Sequence, residues 1–152
     1  MKILCATDFS EEGQAAEAKA LELVRALGGE LVYVHVSVET PLYGEAAFAM
    51  ADIERVYEAQ RRWADDTMRA RVAAAEKAGV PARAVLRVGV PFEQIVEAAS
   101  EEAADMLVIG THGRSGLNRL LMGSVAERVL RLAPCPVLTV RPANGRAHTR
   151  AA

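Results

Sequence analysis

Two kinds of apolar pattern alternate along this chain. Short runs rich in strand-forming residues, such as residues 31–38, are apolar almost throughout, which is typical of strands buried on both faces of a parallel sheet. Between these runs, apolar or small residues recur three or four positions apart, as on one face of a helix. The pattern predicts strands at residues 2–7, 31–38, 84–88, 105–110 and 136–140.

Helical segments separate these strands, beginning with residues 12–28, which Gly28 and Gly29 end. The second helical pattern runs to about residue 78, and its length leads us to expect a break or a mobile first part before Asp52. Alternating strands and helices predict a three-layer α/β fold, a Rossmann-like open sheet of five mostly parallel strands in the order 3-2-1-4-5 with helices on both faces. A ligand would then sit beyond the carboxyl ends of strands 1 and 4, where the winding reverses.

Length and charge narrow the function classes. The 152 residues fit one domain, which we place at residues 1–142, followed by a disordered tail at 143–152. A net charge of -2 gives no overall basic field for nucleic acid. No apolar run approaches the roughly 18 residues of a membrane span, and no signal peptide precedes the first strand. We therefore expect a cytoplasmic protein with no nucleic-acid or membrane partner, whose two cysteines are free and buried.

The most informative stretch follows the fourth strand. Gly110 and Gly113 bracket two polar residues, and Gly123-Ser124 comes nine residues later at the start of a helical pattern. Glycines allow a ligand to approach the backbone closely, and the N–H groups of a helix's first turn attract negative charge. This arrangement predicts a site for a phosphate chain.

The spacing G-x2-G-x9-G-[S/T], which Gly110, Gly113, Gly123 and Ser124 fill, resembles the signature of the ATP-binding branch of the universal stress protein family. Residues 2–10 and 32–36 resemble that family's first and second strands. The resemblance implies a nucleotide-responsive regulator that binds ATP, with Mg²⁺, and forms a homodimer through the strand at 136–141. It also implies a set of nucleotide-binding residues, of which Asp8 is the candidate Mg²⁺ ligand: Thr7, Asp8, Val36, Gly110, Thr111, His112, Gly113, Arg114, Gly116, Gly123, Ser124 and Val125.

Several of these residues have structural alternatives. Each glycine could serve only a turn or close helix–strand packing. Asp8 could cap a helix, since residues 8–11 have capping-box form, and Ser124 could also be an N-cap. His35 alternates with apolar neighbours and fits a core or surface histidine. Arg114 and Arg119 could offset triphosphate charge, but we expect backbone N–H contacts to come first.

Other chemistry is missing from the sequence. There is no GxxxxGK[ST] loop, no GxGxxG after the first strand, no G-x-S-x-G elbow and no metal-ligand spacing of His and Cys. We therefore expect weak or absent catalysis. Two alternatives stay open, a slow ATPase or nucleotidyl-transferring enzyme and an interaction module with a vestigial site. The sequence does not choose among ATP, AMP and a cyclic nucleotide, and it names no protein partner.

Overall fold

In this computed structural model, residues 1–38, 50–111 and 122–142 are described. The predicted strands and the helical segments between them are present there, and the bounds predicted for the strands, the first helix and the end of the second lie within about two residues of those observed. In chain order they are β1 (Lys2–Ala6), α1 (Glu11–Leu27), β2 (Glu30–Ser37), α2 (Met50–Lys77), β3 (Ala82–Val88), α3 (Pro91–Glu101), β4 (Met106–Gly110), α4 (Ser124–Leu132) and β5 (Val137–Val140).

The five strands form one sheet in the order β3-β2-β1-β4-β5. Every neighbouring pair is parallel, so the predicted topology is confirmed and the sheet is parallel throughout. Ala6, the last residue of β1, pairs with Val34 of β2 and with Ile109 of β4. The carboxyl ends of the three central strands therefore lie together at one edge.

Each face of the sheet has its own hydrophobic core, which explains why the central strands are apolar almost throughout. Successive residues of a strand point to opposite faces. Leu4 and Leu107 pack toward α3 and α4, whereas Ile3 and Val108 pack toward α1 and α2. All four side chains are fully buried. Helices on both faces complete the three predicted layers.

Helix α1 begins at a different cap from the one its sequence suggests. Its N-cap is Ser10, whose Oγ accepts a hydrogen bond of 3.1 Å from the Gly13 N–H. Asp8 instead accepts from the backbone N–H and the hydroxyl of Ser10. Phe9 has a left-handed φ of 65°, so the chain turns there and the helix starts three residues after Asp8. The alternative of Asp8 as the helix cap is therefore wrong.

Helix α2 is continuous from Met50 to Lys77. The segment before it, in which the sequence predicts a break, lies outside the described residues, as does the tail at 143–152. Within the described part of the chain, no helix combines the length and apolar character required to cross a bilayer.

Candidate functional site

A crevice of about 540 Å³ opens beyond the carboxyl ends of β1, β2 and β4. Helices α2, α3 and α4 complete its walls. Because β1 and β4 are neighbours in the sheet, Thr7 and Asp8 after β1 face the same crevice as Gly110 and Thr111 from the end of β4. This is the strand-order reversal at which open α/β sheets bind ligands.

Most of the candidate residues named from the sequence line this crevice. They are Thr7, Asp8, Val36, Gly110, Thr111, Gly123, Ser124 and Val125. The remaining candidates, His112, Gly113, Arg114 and Gly116, lie outside the described residues, as does Arg119. The fold thus brings the first strand's end, the second strand's end and the start of α4 to one place.

The start of α4 provides backbone donors on the crevice wall. Gly123 is the N-cap and Ser124 is the first helical residue, so the alternative of Ser124 as the N-cap is wrong. The Gly123 N–H donates to Thr111 O at 2.8 Å, which fixes this end against β4. No side chain of the described residues caps the helix. The first-turn N–H groups of Ser124, Val125 and Ala126 have no acceptor within the helix, and all three residues line the crevice.

Gly110 and Gly123 have different structural roles. A Cβ added at Gly110 would lie 2.9 Å from the backbone carbonyl carbon and oxygen of Glu12, so this glycine permits the close approach of α1 to β4. Gly123 has φ -63° and ψ 146°, a conformation that any residue adopts. The packing alternative therefore accounts for Gly110, whereas backbone conformation does not require glycine at position 123.

The turn after β1 is held by hydrogen bonds on several sides. The Thr7 N–H donates to Val34 O at 3.0 Å, and Thr7 O lies 2.8 Å from His35 Nδ1. Since a carbonyl oxygen can only accept, Nδ1 carries the proton in this contact. The Phe9 ring stacks on His35 with centroids 4.3 Å apart and meets Trp63 edge-on at 5.2 Å. These contacts give the β1 turn a fixed shape on one side of the crevice.

Sequence reasoning missed part of the lining. His35 is buried, as one alternative held, but it also lines the crevice. Gln60 and Trp63 of α2 and Ile95 of α3 line it as well. The 3.6-residue period indicated which face of each helix is apolar, but it did not indicate which turn would lie over the strand ends.

The candidate Mg²⁺ ligand is a single carboxylate. Asp8 is half-buried at the crevice, and no group of three or more His, Cys, Asp or Glu side chains suited to a metal occurs among the described residues. Mg²⁺ is commonly held by one or two carboxylates together with substrate phosphates and water. Asp8 therefore fits a metal ion that is also bound by the phosphates of a ligand. The described residues contain no cluster that would hold a metal without such a ligand.

The two cysteines are free and have little thiolate character. Cys5 is fully buried, and burial raises the pKa of its thiol, with a further increase from the charge of Glu17. Cys135 is only half-buried; burial and then the charge of Asp105 raise the pKa of its thiol. A raised thiol pKa lowers nucleophilic reactivity, so neither cysteine is a candidate nucleophile.

Comparison with known proteins identifies the family. The model of the universal stress protein family matches residues 1–141 of the chain. The chain belongs to the universal stress protein family. It is 34% identical over 140 residues to a universal stress protein of Methanocaldococcus jannaschii, with 92% of this chain and 81% of the relative covered.

Solved structures of other universal stress proteins share the fold. A second Methanocaldococcus jannaschii protein superposes with a TM-score of 0.81 and 29% identity, covering 94% of this chain and 96% of the other. A universal stress protein from Archaeoglobus fulgidus in complex with dAMP gives 0.62 and 28%, covering 93% and 98%. Another in complex with cAMP gives 0.64 and 25%, covering 94% and 98%. Relatives of this universal stress protein thus include complexes with adenine nucleotides.

Proposed function

We propose that this universal stress protein binds ATP, with Mg²⁺, in the crevice between the β1 turn and the start of α4. The observation that carries the proposal is the start of α4, where first-turn N–H groups line the crevice without a side-chain cap among the described residues. Such N–H groups and the positive end of the helix dipole favour an anionic ligand. The adenine nucleotides bound by the two structural relatives support the same ligand class.

The crevice walls suit the parts of a nucleotide. Val34, Val36 and Ile95 provide apolar surface for a base, and Val36 is the residue whose backbone would meet the adenine edge. The N–H groups at the start of α4 suit the phosphates. A carboxylate repels a phosphate chain, so Asp8 would either accept from a ribose hydroxyl or share Mg²⁺ with the phosphates. The metal would supply charge neutralisation between the two anions.

The proposed role is regulation by a bound nucleotide. A ligand shifts a conformational equilibrium only by its difference in affinity for the two states. A nucleotide that contacts the β1 turn, β2 and α4 together would favour the conformation in which these elements are correctly spaced. We place this regulator in the cytoplasm, and its protein partner stays unidentified.

The proposed functional unit is a homodimer joined through β5. This strand is one edge of the sheet, and the side chains of Val137 to Val140 are only half-buried in the single chain. An exposed strand edge carries unpaired N–H and C=O groups that favour pairing with another strand. Two copies of β5 running antiparallel about a two-fold axis would pair these groups and cover Leu138.

Calorimetric titration with ATP and Mg²⁺ tests the nucleotide site. We expect saturable binding, and about 2.7 kcal/mol of added stability when ATP is present at about 100 times its Kd. Gly123→Val should abolish binding and leave the fold intact, because the branched side chain would occupy space beside the first-turn N–H groups. Arg131→Ala, at the exposed C-terminal end of the same helix, is the matched control and should bind like the wild type.

Two results would contradict the proposal. One is the absence of both heat and a stability increase at millimolar ATP-Mg²⁺. The other is wild-type affinity in Gly123→Val, which would move the phosphates away from α4. Assay of ADP release separates a regulator from the slow ATPase: sustained Mg²⁺-dependent turnover that disappears in Asp8→Ala would favour the enzyme.

A further inference from the structure

Helix α1 carries a buried charge on a face that otherwise packs small or apolar residues. The buried residues of this helix are Gly13, Ala16, Glu17, Ala20 and Val24. Glu17 is 7% exposed. Removing a carboxylate from water is costly, and apolar residues of similar size often replace buried ion pairs with no loss of stability. Packing alone therefore gives no reason for a carboxylate at this position.

The two oxygens of Glu17 contact two different elements. Oε1 accepts a hydrogen bond of 2.6 Å from the Thr7 hydroxyl at the end of β1. Oε2 lies 2.7 Å from Nε of Arg71 on α2. The Arg71 Nε–H makes no hydrogen bond of acceptable geometry, so this second contact is ionic in character. We call the two contacts together the Glu17 bridge.

One end of the bridge fixes the β1 turn. The Thr7 hydroxyl that donates to Glu17 also accepts from the Phe9 N–H at 3.1 Å. That hydrogen bond spans the turn in which Phe9 adopts its left-handed conformation. Backbone strain of this kind persists where the surrounding contacts over-determine it. The Glu17 carboxylate thus orients the hydroxyl on which the turn, and with it Asp8, depends.

The other end of the bridge fixes the facing wall. Arg71 lies on the same helix as Gln60, Trp63 and Ala64, which line the crevice. Ala64 is seven residues before Arg71, so the two residues lie on one face of α2. The Glu17 bridge and the Phe9–Trp63 ring contact therefore both connect the β1 turn to α2, and the bridge is the charged one of the two.

We propose that Glu17 is a positioning residue that sets the spacing between the β1 turn and α2, and through it the affinity for nucleotide. The effect on nucleotide affinity rests on the proposed function, whereas the effect on the spacing between the β1 turn and α2 does not depend on any ligand. Glu17 does not line the crevice, so its effect passes through Thr7 and Arg71.

Glu17→Gln tests the bridge with little change in shape. The amide oxygen can still accept from Thr7, but the charge opposite Arg71 is lost. We expect ATP affinity to fall about tenfold, the size of one lost charge-assisted contact. We also expect acrylamide to quench the fluorescence of Trp63, the only tryptophan, more strongly than in the wild type when no ligand is present. Glu22→Gln is the matched control on the exposed side of α1, where Glu22 pairs with Lys19.

Variants at the other end of the bridge keep the test decisive. Arg71→Lys retains the charge and should keep most of the affinity, whereas Arg71→Met should lose as much as Glu17→Gln. The double variant Glu17→Gln/Arg71→Met leaves no unpaired buried charge, and its ATP affinity should fall by about the same factor as in either single variant, about tenfold, and not by the product of the two. The double variant also tests the bridge if one of the single variants fails to fold.

A Kd for ATP within twofold of the wild type in Glu17→Gln or the double variant would overturn the proposal, whatever happens to Tm. If the wild type itself does not bind ATP, the proposed function fails, and the ligand-free Trp63 quenching decides the spacing. Unchanged quenching in Glu17→Gln would then refute the bridge, and increased quenching would support it.

Discussion

Replacing Gly110 with alanine should destabilise the fold. The added Cβ would lie 2.9 Å from the backbone carbonyl carbon and oxygen of Glu12, in the first turn of α1. Those atoms cannot rotate away as a side-chain tip can. Either α1 must shift away from β4 or the strand end must move, and both movements disturb the buried interface between them.

The magnitude follows from two opposing effects. Inserting a methyl group into a packed site costs about 1–3 kcal/mol, and rigid backbone neighbours place Gly110 toward the upper part of that range. Exchanging glycine for alanine restricts the unfolded chain and recovers about 0.4–1 kcal/mol. The steric cost is larger, so we expect a net loss of about 2 kcal/mol. For a domain of this size the loss corresponds to a Tm decrease of roughly 4–8 °C.

Urea unfolding measures this loss as a lower midpoint with an unchanged m-value. Gly123→Ser is the informative comparison, because serine is favoured at an N-cap and should change stability by less than about 0.5 kcal/mol. Its hydroxyl would accept from the N–H groups proposed to bind phosphate, so ATP affinity should fall while stability does not. If Gly110→Ala were as stable as the wild type, the close packing of α1 on β4 would not explain this glycine.

Three further predictions concern ion pairing, thiol reactivity and assembly. The Arg83 hydrogen bond holds the pKa of Glu102 below its usual value, so the pair stabilises the fold above the unfolded pKa and loses this effect as pH falls through the lower folded pKa. Arg83→Met should cost about 1 kcal/mol in urea unfolding at pH 7, and equal stability of the two proteins at that pH would exclude a contribution from the pair. A thiol reagent such as Ellman's should modify Cys135 of the native protein slowly and should modify Cys5 only when the protein unfolds. Rapid labelling of Cys5 would show that β1 opens. Light scattering should find a wild-type dimer and a Leu138→Lys monomer, and a variant that stays dimeric would place the interface away from β5.

The parallel sheet could be predicted from the sequence because the central strands are short, almost wholly apolar runs and a helical pattern separates each strand from the next. The cap of α1 could not be predicted, because nothing in the sequence around Phe9 indicates that this residue adopts a left-handed conformation. Residues 8–11 have capping-box form, yet Ser10 occupies the cap. A local pattern identified the right residue types and misplaced them by two positions.

The candidate site divides in the same way. The predicted topology placed the ends of β1 and β4 next to each other, and Gly123 indicated that the start of α4 belongs to the site. The α2 part of the lining depends on how far along the strands the helix packs, which the sequence does not encode locally. Glu17 did leave a signal: it falls at a core position of the helical period, between Gly13 and Ala20, where a charge is unexpected.

The position of Arg71 within α2 has a mechanical consequence. The helix has 28 residues, and Arg71 lies near its C-terminal end. About 30 Å of helix axis separates Arg71 from Met50, whereas only about 9 Å separates it from Lys77. With the ion pair as pivot, a tilt of about 5° would displace the first turn by about 3 Å and the last turn by less than about 1 Å. Because Arg71 is much farther from the first turn than from the last, a small change in the Glu17–Arg71 distance would displace the first turn far more than the last. Another protein could recognise such a displacement of the first turn.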